Sequence, residues 1–214
     1  MKKNLFLIPI VVLAALALIV PLNSLAKAKQ GTGKMSPNRM ELRLALRDLW
    51  VGHIFWVRNV VLMTKFGDTG AAKVAEDQVV QDAKDIANSI VPFYGRDAGD
   101  KLFNLLAGHY GAVKEYMTAA FAENKDAKTA AIDKLNKNAD EIATFLSSAN
   151  PNWPKPTLLA ALAAHGGHHI AQINAVNGKD FATEAKVWND MKTHIYVIAD
   201  VLADGIVKQF GPKK

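Results

Sequence analysis

The chain has 214 residues, of which 50% are apolar and 21% are charged, a composition typical of a folded globular protein rather than a disordered one. It contains no cysteine, which excludes disulfide bonds, thiolate catalysis, iron–sulfur clusters and covalently attached haem. The net charge is +6 and falls to +4 without Lys2 and Lys3 of the N-terminal segment, so we expect no nucleic-acid partner.

Residues 1–26 have the features of a secretory signal peptide. A basic start precedes an apolar stretch over residues 5–20, and Ser24 and Ala26 are the small residues expected before a cleavage site. An uncleaved membrane anchor is the alternative, because the apolar stretch approaches the length that crosses a bilayer. In either case the remainder of the chain is expected outside the cytoplasm, secreted or held at the cell envelope. Residues 27–38 are predicted to form a basic tether.

Residues 39–212 are predicted to form one all-α domain. The prolines of this part of the chain leave three long stretches in which nothing prevents helix formation, and no stretch alternates apolar and polar residues as a strand would. Turn-forming residues divide these stretches at 67–70, 123–126 and 177–180. We therefore expect six helices of about 20 residues, arranged as three helical hairpins in a bundle.

Three histidines occupy equivalent positions in the three hairpins. His53, His109 and His165 are spaced 56 residues apart. A leucine lies seven residues before each histidine, apolar residues lie four and three before it, and glycine or alanine immediately precedes it. These positions form one stripe of an amphipathic helix, so each histidine is expected on a buried face. The pattern predicts an internal triplication with a period of about 56 residues.

A carboxylate follows each of these histidines on the second helix of its hairpin. The offset is 32 residues in the first two hairpins and 35 residues in the third. Each acid is therefore a candidate partner for the histidine of its own hairpin. The three acids are Asp85, Glu141 and Asp200.

If the hairpins converge on a common axis, the three histidines predict a metal site. A buried imidazole needs partners for both ring nitrogens, and a divalent cation satisfies one nitrogen of each ring at once. The three carboxylates would be direct ligands, or would accept a hydrogen bond that fixes each imidazole. Nitrogen and oxygen donors without sulfur favour zinc, iron, copper, nickel or manganese, whereas imidazole suits calcium and magnesium badly.

Two further histidines are candidate ligands. His169 lies four residues after His165 on the same helical face, which is the spacing of paired imidazoles in helical zinc sites. The glycines at 166–167 are poor helix formers that are tolerated where a ligand or another backbone comes close. His194, on the sixth helix, is the other candidate. His168 is expected to be partly exposed and not to be a ligand.

Two alternatives explain the same histidines without a single bound ion. In the first, each histidine pairs with the carboxylate of its own hairpin, and the protein is a metal-free structural or partner-binding scaffold at the cell envelope. In the second, two opposed imidazoles hold a b-type haem. Both alternatives keep the all-helical fold and differ only in what the imidazoles bind.

Little in the sequence indicates an enzyme. The chain has no nucleophile elbow, no Walker loop and no dinucleotide-binding glycine motif after a strand, so no catalytic residue is assigned. The one catalytic route would be a hydroxide activated by a metal with an open coordination position. We therefore expect a protein that binds rather than one that catalyses.

Four stretches of the sequence resemble an uncharacterised family of exported bacterial helical proteins. They are residues 46–59 (LRDLWVGHIFWVRN), 90–95 (IVPFYG), 138–143 (NADEIA) and 149–154 (ANPNWP). The resemblance implies an exported all-helical protein and no established activity. Members sometimes carry a glycosyltransferase label, but a nucleotide-sugar transferase needs an α/β nucleotide-binding fold that this helical pattern cannot build. The family has threonine or leucine where this chain has His168 and His169, so a function of those two is specific to this chain.

Overall fold

The computed structural model describes residues 38–212, which include the whole predicted helical domain. The predicted signal peptide, and all but the last residue of the predicted tether, lie outside the described residues. No helix within residues 38–212 combines the length and the apolar character needed to span a membrane.

Six long α-helices and one single-turn helix make up the described part of the chain, which contains no strand. This confirms the predicted all-α class. The single turn carries Pro92 near its start and is an addition to the predicted set. The helices are α1 (Arg39–Phe66), α2 (Thr69–Ser89), α3 (Val91–Tyr94), α4 (Arg96–Phe121), α5 (Lys125–Ala149), α6 (Lys155–Asn177) and α7 (Phe181–Phe210).

Local sequence explains where these helices begin and end. At the starts of α2, α5 and α7, the side chains of Asp68, Asn124 and Asp180 accept a hydrogen bond from a backbone N–H of the first turn. All three residues lie in the turns expected from the sequence. Helix α1 ends at Gly67, whose φ of 79° is the left-handed conformation that favours glycine.

The helices pack as a bundle in which each long helix contacts its neighbours along the chain. Helix α1 contacts α2, α4 contacts α5, and α6 contacts α7, so each expected hairpin has its two helices side by side. Contacts between α2 and α4, between α5 and α6, and between α1 and α7 join these pairs. Helix α6 also contacts α1 and α4, which brings the three histidine-bearing helices together.

Two apolar cores fill the bundle, and the histidines lie between them. Along α1, His53 lies between Trp50 of one core and Val57 of the other. His109 on α4, and His165 and His169 on α6, occupy the same level of their helices. The first, core A, includes Leu46, Trp50, Ile54, Leu102, Leu106, Leu158, Leu162, Trp153 and Ile198; the second, core B, includes Val57, Val61, Val113, Tyr116, Leu135, Ile173 and Val176.

Candidate metal site

Four histidine side chains meet at the level between the two cores. His53 of α1, His109 of α4, and His165 and His169 of α6 each offer a ring nitrogen, and these four atoms lie within 4.8 Å of one another. The four residues are only 4%, 6%, 1% and 1% exposed, in that order. We call this group the histidine cluster. It unites the three equivalent histidines of the hairpins with His169, which shares a face of α6 with His165.

Small residues before the first two histidines let the second helix of each hairpin come close. A Cβ atom on Gly52 would lie 2.7 Å from Oδ1 of Asp82, a distance too short for any side chain larger than glycine without a shift. A Cβ on Gly108 would lie 3.3 Å from the side-chain nitrogen of Asn138. The small residue in the repeated pattern therefore has a packing role in the first two hairpins. The third hairpin has Ala164 at this position, and its side chain is exposed.

The four rings contact one another directly. The Nε2 atoms of His165 and His169 share a hydrogen bond of 3.1 Å. His109 stacks on His165 with ring centres 5.5 Å apart, and His53 lies 5.6 Å from His165 and 6.2 Å from His109. The edge of Trp50 meets the rings of His53 and His165, at 6.0 and 6.4 Å between centres. The cluster is therefore tightly packed, with a tryptophan on its core A side.

Each of these histidines has a ring nitrogen without a hydrogen-bond partner among the described residues. These atoms are Nε2 of His53 and of His109, and Nδ1 of His165 and of His169. A buried polar atom left unpaired costs about 1–3 kcal/mol. Four such atoms in one place are unusual in a folded protein, where buried polar groups are nearly always paired. The arrangement is what a group that binds all four rings would require.

Burial keeps the cluster uncharged at neutral pH. It lowers the pKa of His53 to about 3, with a further lowering from the nearby His109. It lowers the pKa of His109 to about 4, against a smaller opposing effect of the Asn138 side chain. Burial also lowers the pKa of His165 and of His169 well below the usual value, and the neighbouring imidazoles add to the effect. Neutral imidazole is the form that binds a metal.

The carboxylates expected beside the histidines lie elsewhere. Asp85, Glu141 and Asp200 take no part in the cluster, and none forms a hydrogen bond with a histidine. Around Asp85 on α2 the buried positions are 83, 86 and 87, and position 85 itself is exposed. The acids bind surface partners instead: Gln81 donates to Asp85 at 3.1 Å, Lys137 lies 3.9 Å from Glu141, and Arg47 donates to Asp200 at 2.6 and 2.8 Å.

His194 and His168 also lie outside the cluster. His194 Nε2 is 2.9 Å from the backbone carbonyl oxygen of Ala161, so this ring nitrogen already has a partner. The ring of His168 lies beside it, with centres 5.4 Å apart, and both side chains are half-buried. His168 is partly exposed, as expected from the sequence. His194 was expected to be a ligand, but its ring is hydrogen-bonded to the backbone of α6 and lies outside the cluster.

A crevice between α5 and α6 leads from the surface to the cluster. Its volume is about 140 Å³, and its lining includes the buried His109 together with the exposed Asn136 and Gly167. A Cβ atom added to Gly166 or Gly167 would meet no atom within 4 Å. The two glycines on α6 therefore leave open space on the path to His109.

One buried polar group was not foreseen from the sequence. Glu184 of α7 is only 2% exposed, and it accepts hydrogen bonds from Arg58 and Gln172. Gln172 lies seven residues after His165 and three after His169, so it shares the buried face of α6. This helical spacing is the sequence signal that would identify Gln172 as a buried polar residue.

Comparison of the chain with protein-family models, with curated proteins and with solved structures finds no match. The resemblance to an exported helical family therefore stays a prediction. Function has to be inferred from the geometry of the site.

Proposed function

We propose that this protein is an exported, non-enzymatic helical bundle that binds one transition-metal ion through His53, His109, His165 and His169. The observation that carries the proposal is the convergence of four buried imidazoles, each of which offers one ring nitrogen within 4.8 Å of the others. Nε2 of His53 and of His109 has no partner among the described residues, and the Nε2 atoms of His165 and His169 bond to each other. A single cation would satisfy four ring nitrogens at once.

The spacing of the rings supports this proposal. Imidazole nitrogens bind zinc at about 2.0–2.1 Å, so four tetrahedral ligands lie about 3.3 Å from one another. The Nε2 atoms of His165 and His169 are already 3.1 Å apart. The ligand atoms of the whole cluster lie within 4.8 Å of one another, so the widest pair has to move closer by up to roughly 1.5 Å.

The donor set narrows the choice of ion. All four ligands are neutral nitrogens, and the cluster contains no carboxylate. Imidazole suits zinc, copper, iron and nickel, whereas manganese, calcium and magnesium prefer oxygen. Four histidine ligands also complete a tetrahedral site and leave no position for an activated water, which supports a binding role rather than a catalytic one.

Two alternatives receive less support. A scaffold held by histidine–carboxylate pairs needs acids beside the rings, but Asp85, Glu141 and Asp200 bind partners at the surface. A haem needs a slot between two opposed imidazoles. In the cluster the rings pack against one another, with centres as close as 4.4 Å for His165 and His169.

We further propose that the three hairpins arose by triplication and that the domain lies outside the cytoplasm. The equivalent sequence positions of His53, His109 and His165, and the pairing of α1 with α2, α4 with α5, and α6 with α7, support the triplication. The signal-like sequence of residues 1–26 supports export, with membrane attachment if that segment is retained.

Elemental analysis of the full chain tests the metal site. The protein is purified without an affinity tag, stripped with a chelator, and incubated separately with zinc, copper, iron and nickel before unbound ion is removed. We expect one ion per chain for at least one metal. The variant His109→Ala removes one of four ligands and is expected to weaken binding at least tenfold.

The matched control is His168→Ala, which removes a histidine next to the cluster that does not contribute to it. This variant is expected to keep the metal content of the parent. Circular dichroism confirms that both variants are folded. No bound metal in the parent, or equal metal content in the parent and in His109→Ala, would contradict the proposal.

A further inference from the structure

Core A contains a cavity that the metal site does not use. Its volume is about 90 Å³, and its wall includes side chains from all six long helices and from Trp153. No polar atom of residues 38–212 faces it. Protein interiors are close-packed, and voids larger than a water molecule are few, so a cavity of this size in the centre of a core is an unusual feature that can hold a small molecule.

Water is a poor occupant for this cavity. A buried water needs two to four polar partners. The hydroxyl of Ser89 donates to the carbonyl of Ile86 at 2.6 Å, and the indole N–H of Trp153 donates to the carbonyl of Val201 at 3.1 Å. The indole N–H of Trp50 has no partner among the described residues, but it does not face the cavity. The cavity is therefore dry, and it suits an apolar molecule.

The cavity adjoins the histidine cluster. Trp50 forms part of its wall and meets the rings of His53 and His165 with its edge. Leu162 lines both this cavity and the crevice that reaches His109. A molecule in the cavity would thus lie one side chain away from the cluster.

The cavity is closest to solvent between α6 and α7. On α6 its wall includes the exposed Thr157 and the half-buried Ala161. On α7 it includes Val197, which is 54% exposed, and the half-buried Val201. These four short side chains are the exposed and half-buried part of the wall between α6 and α7. A small molecule would therefore enter between the two helices.

We propose that this cavity binds a small uncharged apolar molecule of a few heavy atoms, with a gas such as dioxygen as the class that fits. An apolar cavity of about 150 Å³ in another protein accepts benzene or xenon, so a smaller one selects smaller molecules. This binding goes beyond the proposed metal function, because the wall supplies all the contacts and no ion is needed. With a metal bound, the molecule would be held next to the ion but separated from it by Trp50.

Xenon is the probe for this cavity, because it is apolar, monatomic and visible by NMR. Xenon-129 chemical shifts are measured on the metal-free full chain over a range of xenon pressures. We expect one saturable site. Ala161→Leu places a larger side chain in the mouth and is expected to weaken xenon binding at least tenfold, and Val201→Phe should have the same effect from α7.

The matched control is Ala160→Leu, which makes the same change at the neighbouring exposed position of α6, outside the cavity wall. It should bind xenon like the parent. The proposal is overturned if the parent shows no saturable site, or if folded Ala161→Leu and Val201→Phe bind as tightly as the control. All samples lack metal, so failure of the metal site would not affect this result, and failure here would leave the metal site intact.

Discussion

Two of the buried polar groups in the bundle, Glu184 and the histidine cluster, differ in how their polar atoms are paired. Glu184 has both carboxylate oxygens bound by Arg58, at 2.6 and 2.8 Å, and it accepts a third hydrogen bond from Gln172 at 3.0 Å. The histidine cluster is equally buried, yet four of its ring nitrogens have no partner among residues 38–212. Where the protein buries a charge, it supplies the opposite charge from a neighbouring helix. This difference supports the binding role proposed for the histidine cluster.

The same contrast appears in the pKa values. Hydrogen bonds from Arg58 lower the pKa of Glu184, so this group is stabilised in its charged form. Burial lowers the pKa of His53 and of His109, so these groups are stabilised in their neutral form. The Glu184 region holds a charge with its counter-charge, whereas the histidine cluster is neutral at pH 7.

The largest expected effect is the loss of folding stability in acid. The histidine cluster and the Glu184 pair are expected to contribute to this loss in different pH ranges. The folded pKa is about 3 for His53 and about 4 for His109, against 6.5 for the unfolded chain. Below pH 6.5 the unfolded chain binds protons that the folded cluster does not, so stability is lost as pH falls. One pKa unit corresponds to about 1.4 kcal/mol, so each of these histidines removes roughly 2 kcal/mol by pH 5. The stability that the Glu184–Arg58 pair provides is lost only below pH 4.5, the pKa of Glu184 in the unfolded chain.

Urea unfolding of the metal-free protein at pH 7, 6 and 5 measures this effect. We expect the free energy of unfolding to fall across that range, because the loss from the four buried histidines exceeds the opposing effect of one carboxyl. Burial raises the pKa of Asp82 to about 7, so this carboxyl takes up a proton in the folded chain over the same range. A flat profile between pH 7 and pH 5 would show that the imidazoles are not held neutral by burial.

The charged group is tested next with Arg58→Ala. The Glu184 side chain is 3% exposed, and the substitution leaves it buried without a cation. Breaking a buried ion pair from one side costs about 3–5 kcal/mol, and because the Arg58 side chain is 30% exposed we expect the lower end, about 3 kcal/mol. Urea unfolding at pH 7 measures the loss.

Arg39→Ala is the matched control on the same helix. The Arg39 side chain is 60% exposed, and its partner Asp204 keeps a second hydrogen-bonded arginine, Arg43. An exposed pair of this kind contributes about 0–1 kcal/mol. Equal losses in Arg58→Ala and Arg39→Ala would mean that burial of Glu184 does not matter to stability.

A smaller effect on the free energy of unfolding, of opposite sign, is expected when a histidine of the cluster is replaced. His53→Leu replaces a ring whose Nε2 has no partner with an apolar side chain of similar size. Removing an unpaired buried polar group is neutral or stabilising, so the metal-free variant should be as stable as the parent or up to about 1 kcal/mol more stable at pH 7. The same variant should lose the bound metal.

His165→Leu provides the comparison, because it breaks the 3.1 Å hydrogen bond with His169. It is expected to be about 1 kcal/mol less stable than His53→Leu, since Nε2 of His169 loses its partner. Chemical unfolding of both metal-free variants measures the difference. A large destabilisation by His53→Leu, above about 2 kcal/mol, would mean that this ring has a structural role.

The sequence was sufficient to predict the helices and the core of the site. Prolines and capping residues determine the helix ends locally, so the turns at 67–70, 123–126 and 177–180 could be recognised from residue type. The 56-residue spacing identified His53, His109 and His165, and the spacing of four residues added His169.

The carboxylates could not be predicted in the same way. A fixed offset along the chain selects a helix, but one residue turns the side chain by about 100° around the helix axis. Position 85 therefore faces solvent, although 83 and 86 are buried. The hydrogen-bond partner of His194 is set by the packing of α7 against α6, which places the carbonyl of Ala161 beside its ring. No local sequence pattern encodes that packing.

The smallest expected effect concerns how the ion reaches the cluster. Gly166 lies in the crevice that leads to His109, and a side chain there has room to fill that crevice. Gly166→Leu is therefore expected to slow metal loading several-fold while leaving the final metal content unchanged.

Gly111→Leu is the matched control: Gly111 is also a helical glycine with no atom within 4 Å of an added Cβ, but it lies in a different groove. Both substitutions raise helix propensity by a similar amount, about 1 kcal/mol, so a difference between them reports on the crevice alone. Stopped-flow absorbance with cobalt(II) as the probe measures the rates. Parent-like loading by Gly166→Leu would mean that the ion enters by another path, for which the half-buried His168 and His194 on the α7 side of α6 are the nearest imidazoles.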